Sequence, residues 1–133
     1  MYIWYKLLTY LFQPFAIFFL FFRKLKKKEH QTRYLEKLGQ TSKQREKGFL
    51  LWCHVASVGE AMSILPLVYS FEKEKSIDKI LITTITLSSS QILNKKFSQN
   101  KKIIHQFLPL DVPTFVNKFL NHWKPNLSIF IDS

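Results

Sequence analysis

The sequence is poor in the residues that build small, covalently or metal-held scaffolds. It has one cysteine, Cys53, which excludes a disulfide framework, and no Cys/His group with zinc-ligand spacing. Three glycines and five prolines are too few for a collagen-like or linker-dominated chain. Acidic residues are scarce: nine Asp and Glu face 20 Lys and Arg, a formal net charge of +11 on 133 residues. No internal repeat is visible. Apolar residues nevertheless make up 47% of the chain, which supplies a core, excludes wholesale disorder and suits about one domain.

Aromatic residues are plentiful and unevenly placed. Ten of the 21 fall in residues 1–22, MYIWYKLLTYLFQPFAIFFLFF. The uncharged run of 16 residues, 7–22, lies between Lys6 and Arg23. As a helix it spans roughly 24 Å against a hydrocarbon core of ~30 Å, and it becomes long enough from residue 1 if Lys6 snorkels. The basic residues follow the run and no small-residue cleavage site does, which argues against a secretory signal peptide. Residues 1–22 are therefore expected to be a membrane anchor. Pro14 is expected to interrupt the helix beyond the polar stripe of Lys6, Thr9 and Gln13, so that the first half lies in the interface and the second dips in. A buried core helix is the alternative, disfavoured because so few polar positions leave no solvent face.

Arg23, Lys24, Lys26, Lys27 and Lys28 follow the apolar run, and the positive-inside rule keeps what comes next in the cytoplasm. Residues 1–48 carry 11 basic and three acidic side chains, residues 49–133 nine and six. Such a cluster contacts anionic lipid head groups or simply orients the anchor. Nucleic acid is not expected as a partner, because the charge is tied to the apolar segment. Residues 23–48 read as a basic juxtamembrane stretch: a short polar helix over 31–38 closed by Gly39, then a linker of low order to Gly48.

From Phe49 onward strands and helices alternate. Strands are expected at 49–55, 79–84, 103–107 and 127–131, and helices at 60–74, 88–98 and 112–123. Pro66 is an objection to the first of these helices, since an interior proline costs about 3 kcal/mol. Serines 88–90 suit an N-cap of the second, and Pro113 suits the first turn of the third. The pattern predicts an α/β fold, a parallel sheet with helices on both faces. Ligands bind such sheets beyond the carboxyl ends of the strands, here 54–60, 83–90, 108–113 and 132–133. The densest group is Ser57-Val58-Gly59-Glu60, where serine and glycine at a helix start offer donors to an anion. Glu60 either complements the helix dipole or does chemistry. Thr83 and Thr84 are a weaker signal, Cys53 reads as a core residue, and His54 reads as packed or hydrogen-bonded rather than a ligand.

Here the residues resemble a family. His54-Val55-Ala56-Ser57-Val58-Gly59-Glu60 is similar to the H-x-x-S-V-G-E motif of bacterial 3-deoxy-D-manno-octulosonic acid (Kdo) transferases. Leu11, Gln13 and Pro14 in the apolar run resemble that family's N-terminal anchor. Residues 33–39, RYLEKLG, resemble its R-x-x-E-R-x-G stretch, with Lys37 where arginine is usual. Thr83-Thr84-Ile85-Thr86 resembles its T-T-x-T loop, without the glycine that often follows. Residues 108–113, LPLDVP, resemble its L-P-x-D-x-P turn, and residues 127–133 its strand leading into an acidic E-T-E-x-W-P motif, with Asp132 where glutamate is usual.

The resemblance implies the N-terminal, Rossmann-like half of a B-type glycosyltransferase, with residues 49–133 as an incomplete acceptor-side domain. It implies transfer of Kdo from CMP-Kdo to the lipid A precursor, lipid IVA, in lipopolysaccharide biosynthesis, on the cytoplasmic face of the bacterial inner membrane. Glu60 would be the general base, and Ser57, Val58, Gly59, Thr83, Thr84 and Asp132 would line the substrate site. No metal and no cofactor are implied. The C-terminal sugar-nucleotide domain has no counterpart here, so the missing half or a second chain is an expected partner. A noncatalytic membrane-anchored remnant or binding module is the alternative.

Overall fold

The computed structural model describes residues 2–26, 33–41 and 43–131, without the side chains of Tyr2, Thr9, Phe12, Gln13 and Ala16. Lys27, Lys28 and Asp132, and the polar stripe drawn through Thr9 and Gln13, therefore lie outside what is described. Helix α1 (Tyr2–Leu25) leads into a 3-10 helix (Tyr34–Leu38). Strands β1 (Leu50–His54), β2 (Lys79–Thr84), β3 (Ile103–Phe107) and β4 (Leu127–Phe130) then alternate with α2 (Val58–Glu72), α3 (Leu87–Phe97) and α4 (Pro113–Trp123). The strands form one parallel sheet in the order β3-β2-β1-β4, an arrangement consistent with a Rossmann-like fold.

Period-two alternation divides the strands between two cores. Leu51, Cys53, Ile80, Ile82 and Ile103 pack with Ala61, Ile64, Val68, Leu93 and Phe97 under α2 and α3. Leu50, Trp52 and Leu81 pack with Phe119 and Trp123 of α4 on the other face. Burial pushes the Cys53 thiol up to about 11, which makes it inert filling in the first core. β1 and β2 are almost wholly buried, whereas Leu127 and Phe130 of β4 are 49% and 61% exposed, and β4 has no outer neighbour among the described residues.

Three local expectations are corrected. Both internal prolines sit within unbroken helices, so Pro14 does not divide α1 and Pro66 does not break α2. Each proline costs its helix one main-chain hydrogen bond, to the carbonyl four positions earlier at Tyr10 or Met62, and neither helix breaks for it. The serines do not cap α3. Thr86 does, its side chain accepting from the Ser89 N–H at 3.2 Å. The stretch before β1 is not a loose linker either. The 3-10 helix ends at Gly39 with φ +83°, where an added Cβ would lie 2.5 Å from the Phe115 carbonyl oxygen, so only glycine fits. From there the chain straps the β3 edge. Arg33 and Lys43 both donate to the His105 carbonyl at 2.7 Å, Glu36 accepts from the Phe107 N–H at 3.0 Å, and Arg45 donates to the Trp123 carbonyl at 2.6 Å. These bonds satisfy main-chain groups that an edge strand and a helix C-terminus would otherwise leave open.

Candidate active site

The sheet's carboxyl edge gathers the motif residues. Ser57, extended at φ −124°, is the N-cap of α2, and its hydroxyl accepts from the Glu60 N–H at 3.3 Å. Glu60 reaches back, its carboxylate accepting from the Ala56 N–H at 2.7 Å. This is a capping box displaced by one residue, and it holds the carboxylate at the helix start just beyond β1. Ser57 and Gly59 are exposed, while Val58 and Glu60 are partly buried. A Cβ built on Gly59 meets nothing within 4 Å among the described residues, so none of them demands glycine there.

Thr83 and Thr84 are fully buried, and their hydroxyls are engaged. Thr83 Oγ1 accepts from Trp52 Nε1 at 2.8 Å and lies 2.9 Å from His54 Nδ1, while Thr84 Oγ1 lies 2.8 Å from His105 Nε2. They organise the edge from below. The exposed members of that loop are Ile85, Thr86 and Ser88. With Arg23, Lys37 and Gln91 these line a cavity of about 410 Å³ at the start of α3. His54 is held below its ordinary pKa by burial, against the opposing pull of a hydrogen bond to the Thr83 backbone and the Glu60 charge. Burial and the Arg33 charge lower Lys43, and Glu36 works the other way. Among the described residues no group of His, Cys, Asp or Glu could hold a metal ion.

Sequence reasoning missed the strap. Arg33 binds both oxygens of Glu36 at 3.0 and 2.9 Å, and its terminal nitrogen also lies 2.9 Å from His105 Nδ1. The partners on β3 are about 70 residues away, and the one sequence signal was the spacing of Arg33 and Glu36 within the family-like stretch.

Helix α1 meets this edge near its C-terminal end, where Arg23 borders the cavity at the start of α3 and Leu20 packs on Val112 of the turn after β3. Large apolar side chains are exposed over most of its surface, Trp4 and Phe15 at 71% and Phe18 at 73%, while the remaining face carries Lys6, Lys24 and Leu20, its buried contact with Leu38, Val112 and Phe115. Among the described residues no helix is long and apolar enough to cross a membrane, so the spanning form of the anchor has no support. Lys24 and Lys26 lie over the rings of Tyr34 and Phe22 at 4.5 and 4.6 Å.

A parallel α/β sheet with a carboxylate fixed at its carboxyl edge is the frame of many transferases, and comparison with known proteins names one. The family model described as 3-deoxy-D-manno-octulosonic-acid transferase (kdotransferase) matches residues 32–133, and the chain belongs to that family. It is 36% identical over 129 residues to a probable mitochondrial 3-deoxy-D-manno-octulosonic acid transferase of Arabidopsis thaliana, covering 97% of this chain and 28% of that one. It is 40% identical over 129 residues to the 3-deoxy-D-manno-octulosonic acid transferase of Rickettsia bellii, covering 97% and 30%. The Haemophilus influenzae transferase is 28% identical over 132 residues, again covering 97% and 30%. The chain thus spans less than a third of the length of these relatives. No solved structure matches.

Proposed function

We propose that this chain is an acceptor-side part of a B-type glycosyltransferase that moves Kdo from CMP-Kdo to lipid IVA in lipopolysaccharide biosynthesis. The observation that carries the reading is the carboxylate of Glu60, held by the Ala56 N–H at the start of α2 beside the exposed Ser57 and Gly59. In this mechanism Glu60 takes the proton of the attacking acceptor hydroxyl. The hydroxyl oxygen bonds to the anomeric carbon of Kdo, the bond from that carbon to the phosphate oxygen breaks, and CMP leaves with its electron pair. A positioned base of this kind typically supplies ~10²–10⁴ in rate. Ser57, Val58 and Gly59 face the sugar substrates, Asp132, outside the described residues, is a further substrate-binding candidate, and Thr83 and Thr84 support the neighbouring loop. The sugar nucleotide is held by the remainder of the enzyme, on the same or a second polypeptide.

In the same reading α1 lies in the interface of the bacterial inner membrane, on the cytoplasmic face, with Arg23, Lys24, Lys26, Lys27 and Lys28 at anionic head groups. Its broad face of exposed aromatic and aliphatic side chains, opposite the face of Lys6, Leu20 and Lys24, supports burial in lipid, as in an interfacial amphipathic helix. The competing reading, a noncatalytic membrane-anchored module, draws on the structural job that the Glu60 carboxylate already performs in the capping box. The deciding experiment joins this chain to the remaining two-thirds of a Kdo transferase, in membranes, with CMP-Kdo and lipid IVA. Stoichiometric release of CMP and appearance of Kdo-lipid IVA are expected. A folded, membrane-bound assembly that transfers nothing supports the noncatalytic module.

A further inference from the structure

The two threonines that end β2 point to opposite faces of the sheet, and a histidine from a neighbouring strand meets each hydroxyl: His54 of β1 at Thr83, and His105 of β3 at Thr84. The second pair is set from outside the sheet. Arg33 places a guanidinium nitrogen 2.9 Å from His105 Nδ1. That nitrogen shares its two N–H groups among Glu36 Oε1, the His105 carbonyl and Nδ1. Because a guanidinium only donates, a proton on Nδ1 would face it donor to donor. The lone pair therefore sits on Nδ1 and the ring proton on Nε2, aimed at Thr84 Oγ1 at 2.8 Å. Arg33 is itself fixed, gripped by both oxygens of Glu36 and bonded to the His105 carbonyl. A continuous line of bonds therefore runs from the strap through His105 to the last residue of β2. The next residues, Ile85 and Thr86, form the loop that caps α3 and borders the cavity lined by Arg23 and Lys37.

We infer that Arg33 and His105 are positioning residues: by fixing one histidine tautomer they anchor Thr84 and set loop 85–88 for binding the acceptor. The acceptor part of this inference rests on the proposed function. Lysine cannot replace Arg33 here, because a single ammonium cannot serve two carboxylate oxygens and a ring nitrogen with the geometry of a planar fork.

Two readouts test it. In the 133-residue chain with ¹⁵N-labelled histidine, NMR should find His105 neutral with its proton on Nε2. Arg33→Lys should mix the tautomers, and both Arg33→Lys and Thr84→Val should shift the amide resonances of residues 86–88, whereas Thr84→Ser, which keeps the hydroxyl, should not. A charged or Nδ1-protonated His105 in the unaltered chain, or a loop that ignores both variants, overturns the inference, and the first of these needs no variant to fold. In the joined transferase, each of Arg33→Lys and Thr84→Val should raise the acceptor KM by ~10-fold, about the worth of one hydrogen bond, with kcat nearly unchanged. The double variant should be no worse than either single one, since both break the same line. Additive effects, or a loss confined to kcat, count against it. If the unaltered joined enzyme transfers no Kdo, the acceptor reading fails, while the tautomer and the loop shifts still decide whether the line of bonds exists.

Discussion

Glu36 and Glu60 each accept a hydrogen bond from a main-chain N–H, one at the β3 edge and one at the mouth beyond β1. Glu36 is 4% exposed, binds the Arg33 fork with both oxygens and takes the Phe107 N–H besides. Its charge is neutralised in place and closes an edge of the sheet. Glu60 sits half-buried at the start of a helix, between exposed Ser57 and Gly59, on the side of the sheet where parallel α/β folds bind ligands. The same functional group is a rivet where a cation and a strand surround it, and a candidate base where a helix terminus presents it to an open edge.

Removing Glu36 should have the largest effect on the fold. Glu36→Ala leaves a partly buried guanidinium without its carboxylate and the Phe107 N–H without an acceptor, a loss of about 3–5 kcal/mol in urea unfolding. Glu60→Ala loses one capping interaction, about 1 kcal/mol. Equal losses would break the distinction between the two carboxylates. Gly59→Ala sharpens it at smaller scale. Since an added Cβ meets nothing among the described residues, the substitution should stabilise α2 by up to ~1 kcal/mol and still weaken acceptor binding, because the methyl group intrudes on what approaches the edge. A stabilised variant with unchanged acceptor KM would show that nothing approaches Gly59.

The smallest effect is a pH slope. Burial lowers the pKa of His54, so the unfolded chain binds its proton more readily than the folded one. Stability carried by neutral His54 is complete above the unfolded value, near 6.5, and is lost as pH falls through it toward the folded value. His54→Gln should flatten that part of the stability curve below pH 7, read as the urea midpoint against pH. An unchanged slope would assign the acid sensitivity to other groups.

Local chemistry made most of the fold legible. β2 and β3 have the bounds that their apolar runs suggest, and the helix ends differ by at most two residues, α2 and α3 starting early because Ser57 and Thr86, rather than later residues, supply the caps. Glu60 was legible as a helix-start carboxylate at a strand end. The strap was not, because Arg33 and Glu36 find their partners on β3 some 70 residues on, and no local period encodes that pairing. Nor could spacing tell that Thr83 and Thr84 would be buried and held by histidines from two different strands, which depends on the β1-β2-β3 order.

The direct test of the account is Glu60→Gln in the joined transferase, with turnover and unfolding measured on the same preparation. Glutamine retains an oxygen for the Ala56 N–H, so the capping box survives while the base is removed. Kdo transfer from CMP-Kdo to lipid IVA should fall by at least ~10² in kcat with the urea midpoint essentially unmoved. Near-normal turnover would contradict the account and leave Glu60 as the helix cap that its contact with Ala56 already makes it.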